Sequence, residues 1–136
     1  EYGGYDERVE IYNPSDAAVD LTKYSLYDDE SRSLSAVNDS KMIPSGGLAV
    51  VVEGGYEPDY VDGVNYFNAS TLNFVDTPDT EQILEIETES GMVLDSVVYS
   101  SDCGDSSQSY HRISVKNSTL VCDAKSVGES TKLGGS

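Results

Sequence analysis

Tryptophan is missing from this chain, histidine occurs once, and cysteine and methionine occur twice each. Basic residues are scarce: eight Lys and Arg stand against 25 Asp and Glu, for a formal net charge of −17. Each shortage excludes a class of function. A hydrolytic triad needs a nucleophile beside a base that a third group orients. The single histidine, His111, sits in a strand-like run beside Arg112, and no Gly-x-Ser-x-Gly elbow occurs, so His111 reads as structural and no catalytic residue is expected. Two thiols and one imidazole cannot complete a zinc site without carboxylate help. Charge of this sign repels phosphate backbones, and no cluster of Lys and Arg offers a local exception, so nucleic acid is not expected as a partner. Anionic membrane surfaces are disfavoured for the same reason. The longest apolar run, residues 48–52, is far too short to span a bilayer. No stretch shows helical periodicity with caps, which also removes the helix N-terminus that a Gly-rich phosphate cradle requires.

What remains is β-strand chemistry. At 136 residues the chain makes one domain with a single two-layer core. Its ten tyrosines give aromatic surface with a polar tip, which suits half-buried sheet faces. Val9, Ile11, Val19 and Leu21 alternate with polar residues on either side of Asn13-Pro14-Ser15-Asp16, whose turn chemistry predicts a strand–turn–strand hairpin. Lys23-Tyr24-Ser25-Leu26-Tyr27 alternates and runs into Asp28-Asp29-Glu30, read as a solvated turn. Residues 31–40 read as a loop or weak edge strand, and 42–47 as a turn before the apolar strand 48–52, which predicts burial on both faces. Residues 54–63 read as a long surface loop. Glu89-Ser90-Gly91 turns a second hairpin between Gln82–Thr88 and Met92–Tyr99, with Glu85 and Glu87 on one solvent-facing side. The pattern is that of an all-β sandwich of mostly antiparallel sheets, ending in a loose tail over 128–136. Because the sequence opens at Glu1 without a targeting segment, it is read as a fragment of a longer protein.

Cys103 and Cys122 bracket a polar loop and the strand-like run 109–115. A disulfide between them would close a loop of about 20 residues, worth about 3 kcal/mol by loop-entropy reasoning, and implies an oxidising compartment; two free thiols are the alternative. Asp59, Asp62, Asp102 and Asp105 are weak calcium candidates in loops, without the EF-hand pattern, so no cofactor is expected beyond that calcium option. Arg112 is placed to pair with an acid such as Asp95 or with loop carbonyls. Three glycosylation sequons, at Asn38, Asn68 and Asn117, are close to chance frequency in a chain this rich in Ser and Thr.

Several segments together resemble the lamin tail domain family of immunoglobulin-like sandwiches. Arg8-Val9-Glu10-Ile11-Tyr12-Asn13-Pro14-Ser15-Asp16 is similar to that family's opening strand and turn. Val19-Asp20-Leu21-Thr22-Lys23-Tyr24-Ser25-Leu26 resembles the segment that follows, with Tyr24 where Trp is common. Ile43-Pro44-Ser45-Gly46-Gly47 looks like its turn before a buried strand, and Gly91, Leu94-Asp95-Ser96-Val97 and Tyr99 like its later hairpin, with Ser109 and Arg112 beyond. Thr131-Lys132-Leu133-Gly134-Gly135 replaces the usual closing motif. The resemblance implies an immunoglobulin-like fold without catalytic residues. It looks closest to bacterial and archaeal members, which are appended to secreted or cell-surface proteins.

The expected function is therefore a non-catalytic spacer, anchor or protein-binding module, extracellular or on the cell surface. Its partners are then other domains of its parent chain or a separate protein, and open sheet edges also permit pairing with another copy. The alternative is a carbohydrate-binding module in which Tyr56, Tyr60 and Tyr66 stack on sugars. A metal-assisted hydrolase using clustered acids is the third and weakest reading.

Overall fold

A computed structural model describes residues 8–37, 40–54, 60–72, 81–100, 109–114 and 117–123, with side chains described up to residue 99. The order of elements is β1 (Arg8–Tyr12), β2 (Val19–Asp20), one turn of 3-10 helix (Leu21–Lys23), β3 (Tyr24–Tyr27), β4 (Ser31–Ser33), β5 (Ser35–Ala36), β6 (Met42–Ile43), β7 (Leu48–Glu53), β8 (Val64–Ala69), β9 (Glu81–Thr88), β10 (Val93–Ser100), β11 (Ser109–Ser114) and β12 (Asn117–Asp123). Two four-stranded sheets, β1-β7-β8-β5 and β10-β9-β3-β4, make a sandwich-like all-β fold. Two ribbons, β2-β6 and β11-β12, accompany them. Among the described pairings only β7 with β8 is parallel.

The core lies between the inner faces of the two sheets. The first sheet contributes Ala49, Val51, Phe67 and Ala69, with Val9 and Ile11 packed beside them; the second contributes Leu26, with Tyr24, Leu84 and Ile86 beside it. Leu21 of the 3-10 turn, Ile43 of β6, and Leu34 and Leu72 from connecting segments complete the cluster. Strand β7 is buried on both faces, as its unbroken apolar run predicts. Ala49 and Val51 face the core, whereas Val50 and Val52 form a second cluster with Tyr66 on the opposite side. Parallel neighbours cannot be joined by a tight turn, so the chain crosses over between β7 and β8. The described end of that crossover is tied to the second cluster: the Tyr60 ring meets Tyr66 edge-on at 4.8 Å, and the Val61 amide donates to the Tyr66 hydroxyl at 2.9 Å.

The first predicted hairpin does not form. β1 pairs with β7 and β2 pairs with β6, so the chain turns at Asn13-Pro14-Ser15-Asp16 and leaves the sheet instead of doubling back. The cause is Asn13, which is buried and aims its side chain across the fold. Its Nδ2 donates to the carbonyls of Ala17 at 2.9 Å, Ile43 at 3.0 Å and Pro44 at 3.2 Å. Its Oδ1 accepts from the Ser15 amide at 3.1 Å and the Ser15 hydroxyl at 2.7 Å. The backbone joins in, with Asn13 N–H donating to Gly47 O and Gly46 N–H donating to Asn13 O. A Cβ on Gly47 would sit 2.7 Å from the Pro44 ring, so only glycine allows the turn this tight an approach.

The second predicted hairpin forms as expected. β9 and β10 are antiparallel, Gly91 takes a φ of +84° in the turn, and a bulge falls between Val93 and Asp95. Residues 31–40 supply two short edge strands, β4 to one sheet and β5 to the other, with Leu34 buried between them.

Candidate functional site

Among the described residues, Asp28 and Asp20 are acids that the fold uses structurally. Asp28-Asp29-Glu30 is not simply a solvated turn, because the Asp28 side chain is fully buried. One of its carboxylate oxygens accepts from the amides of Asp29 at 2.6 Å and Glu30 at 3.2 Å and from Arg32 Nε at 2.9 Å. Arg32 also reaches Asp29 at 2.6 Å and Glu30 at 3.5 Å. Burial works against the Arg32 charge, but the hydrogen bond and charge of Asp28, joined by those of Asp29, outweigh it and hold its pKa above the ordinary value. From the other side Gln82 Nε2 donates to the Asp28 carbonyl at 3.2 Å, and the Tyr99 hydroxyl donates to Gln82 Oε1 at 2.7 Å. This chain of contacts links β10 and β9 to the turn between β3 and β4 and, through Arg32, to β4.

Asp20 caps the 3-10 turn, accepting from the Thr22 hydroxyl at 2.6 Å and the Thr22 amide at 3.0 Å, with Lys41 Nζ at 3.5 Å. The Thr22 hydroxyl contributes most, and it holds the Asp20 carboxyl below its ordinary value of 3.8 against a smaller opposing effect of burial. A carboxyl with a depressed folded-state pKa contributes stability that is complete above the unfolded value and lost as pH falls through the folded one. Thr22→Val is therefore expected to move the Asp20 titration upward toward 3.8 in a carboxyl-detected NMR titration. An unchanged Asp20 midpoint would show that the hydroxyl does not set it.

Few of the residues singled out in the sequence fall among the described side chains. Asp62 lies exposed after Tyr60, while Asp59, Asp102 and Asp105 lie outside the described residues. Among the described residues no three His, Cys, Asp or Glu side chains gather as a metal set would require. Glu53 keeps one buried carboxylate oxygen without a hydrogen-bond partner among them, but it stands alone. Cys103 lies outside the described residues, and the side chains of Cys122, His111 and Arg112 do too, so both the disulfide and the Arg112–Asp95 pair fall beyond what the structure describes. Of the three tyrosines weighed for sugar stacking, Tyr66 is 1% exposed and cannot offer a ring face, Tyr60 is 50% exposed, and Tyr56 lies outside the described residues.

One feature that the reading of the sequence passed over emerges on the second sheet. On β9 the core face carries Gln82, Leu84, Ile86 and Thr88, so the outer face carries Glu81, Ile83, Glu85 and Glu87. The register places Val98 directly opposite Ile83, and Val93 opposite Glu87. Ile83 is 45% exposed and Val98 52% exposed, and Met92, Val93 and Leu94 continue the apolar surface around the hairpin end. The signal was present in the sequence: Ile83 breaks the alternation of its strand by standing on the same side as Glu85 and Glu87. Neither β9 nor β10 contains a Lys or Arg.

The chain matches no protein-family model, no curated protein and no solved structure.

Proposed function

We propose that this chain is a non-catalytic, immunoglobulin-like module of a secreted or cell-surface protein, related to the lamin tail domains, and that it acts by contact. The observation that carries the reading is the contrast between the polar groups it buries and the aliphatic groups it exposes. The polar side chains that the fold buries, Asn13 and Asp28 above all, are spent on holding turns and strands together. Large aliphatic side chains such as Ile83 and Val98 are left in water, an arrangement suited to binding rather than to bond-making. The family likeness gains support from Asn13, because two of the segments that carry it, 8–16 and 43–47, meet at that side chain and its backbone. The acidic balance suits a solubilising exterior.

The test is saturable binding of the labelled chain to intact cells of its source, set beside a turnover assay on ester, phosphoester, peptide and glycoside substrates. The module reading expects binding that protease shaving of the cells abolishes, and no turnover. Turnover that purifies with the chain, or the absence of saturable binding, overturns it. Loss of binding on periodate treatment instead would favour the carbohydrate reading, for which Tyr60 remains an exposed ring.

A further inference from the structure

We propose that the outer face of the β9–β10 hairpin docks an extended basic segment of a protein partner, one that presents a cation, an aliphatic side chain and a second cation at every other residue. The inference rests on the module reading above and names its surface and the chemistry of its partner. Along β9 the outward residues run acid, apolar, acid, acid: Glu81, Ile83, Glu85 and Glu87. Every second residue of a strand shares a face and lies about 6.5–7 Å from the next. A partner segment of the same geometry that reads cation, aliphatic, cation therefore sets its apolar side chain on the Ile83–Val98 pair while its cations reach the carboxylates on either side. The aliphatic contact gives the site its position, and the carboxylates select the sign of the partner.

A second copy of this chain is the wrong occupant. Each copy carries a net charge of −17, and the same face of a second copy would bring carboxylates against carboxylates. The four described basic side chains are also placed elsewhere. Arg32 is held by Asp28, Asp29 and Glu30, Lys41 by Asp20, Arg8 belongs to the opposite sheet, and Lys23 ends the 3-10 turn. A nucleic acid or anionic lipid surface is repelled by the same carboxylates.

The experiment titrates the full chain, labelled with nitrogen-15, with the synthetic peptide Lys-Thr-Ile-Thr-Lys-Thr-Lys at millimolar concentration and low salt. Two control peptides replace its Ile by Ser or its three Lys by Glu. The expected result is saturable amide shifts confined to residues 81–88 and 92–99, weakened about tenfold or more by the Ser control and absent with the Glu control. The chain variants Ile83→Ser/Val98→Ser and Glu85→Gln/Glu87→Gln are expected to weaken binding by similar factors, and all four positions lie outside the core, so folding is retained. Three results overturn the proposal: no shifts, equal binding of the Ile and Ser peptides with shifts spread over the whole acidic surface, or a concentration-dependent dimer that the peptide does not compete. If cell binding survives while the hairpin face fails, the module reading stands and this surface alone is rejected.

Discussion

Replacing Asn13 with Ala is expected to lower the free energy of unfolding by about 3 kcal/mol, and replacing it with Asp by more than that. The ranking follows from the direction of the hydrogen bonds. Asn13 Nδ2 faces three carbonyl oxygens, those of Ala17, Ile43 and Pro44, of which the Ile43 contact is fully buried. Alanine removes the donor from the buried Ile43 carbonyl, leaves Pro44 O with the Gly47 amide and Ala17 O with the Ser15 hydroxyl, and deprives Ser15 of the oxygen its amide and hydroxyl use. A buried polar group stripped of its partner costs about 1–3 kcal/mol, so losing the Ile43 bond and those to Ser15 at once is felt well beyond an average substitution. Aspartate keeps the acceptor for Ser15 but turns a carboxylate oxygen toward three carbonyl oxygens, which is repulsive as well as unpaired. Chemical denaturation of the two variants beside wild type measures the order. Ser15→Ala serves as the scale, expected to cost about 1 kcal/mol because only hydroxyl bonds are lost. An Asp variant more stable than the Ala variant would show that the bonds kept to Ser15 outweigh the repulsion at the three carbonyls.

Asn13 also shows where reading a sequence stops. The turn at residues 13–16 is evident from its composition, and so are the alternating residues on either side of it. What local chemistry does not reveal is which strand each flank chooses. A hairpin is the nearest solution, but Asn13 bonds to carbonyls 30 and 31 residues away, and those long-range contacts send β1 to β7 and β2 to β6. The β9–β10 hairpin was legible because nothing distant competes with Glu89-Ser90-Gly91, and Gly91 supplies the positive φ the turn needs. The two-sided burial of β7 was legible for a different reason. Five consecutive apolar residues leave no polar side to turn outward, whatever the register.

The same contrast separates the two acidic features. Glu85 and Glu87 were correctly placed on one face by parity alone, and the parity of Ile83 completes the docking face. Asp28 could not be separated from Asp29 and Glu30 by composition. It is buried because the β3–β4 register sets Leu26 opposite Arg32, which brings the guanidinium back over the turn, and because Gln82 arrives from β9 to meet its carbonyl. An Arg two residues beyond a run of acids at the end of a strand is the signal that was available. It marks a turn that closes on itself rather than one that faces only water.

Removing that carboxylate is the second large effect. Asp28→Ala is expected to cost about 3 kcal/mol, because breaking a buried ion pair leaves the partner charge poorly compensated and two backbone amides without an acceptor. The side chain of Arg32 is only 14% exposed, so it cannot recover its hydration in place. It keeps Asp29 at 2.6 Å and Glu30 at 3.5 Å, and this residual pairing keeps the loss from reaching the upper end of the range for buried pairs. Asp28→Asn retains an oxygen for the amides of Asp29 and Glu30 but not the charge, and is expected to cost roughly half as much. The diagnostic measurement is a double-mutant cycle with Arg32→Met by denaturant unfolding. If the pair is coupled as its 2.9 Å contact implies, the double variant is more stable than the sum of the single losses by about 1 kcal/mol or more. Additive losses would mean that Asp28 serves its own turn alone, and that the guanidinium is held equally well by Asp29 and Glu30.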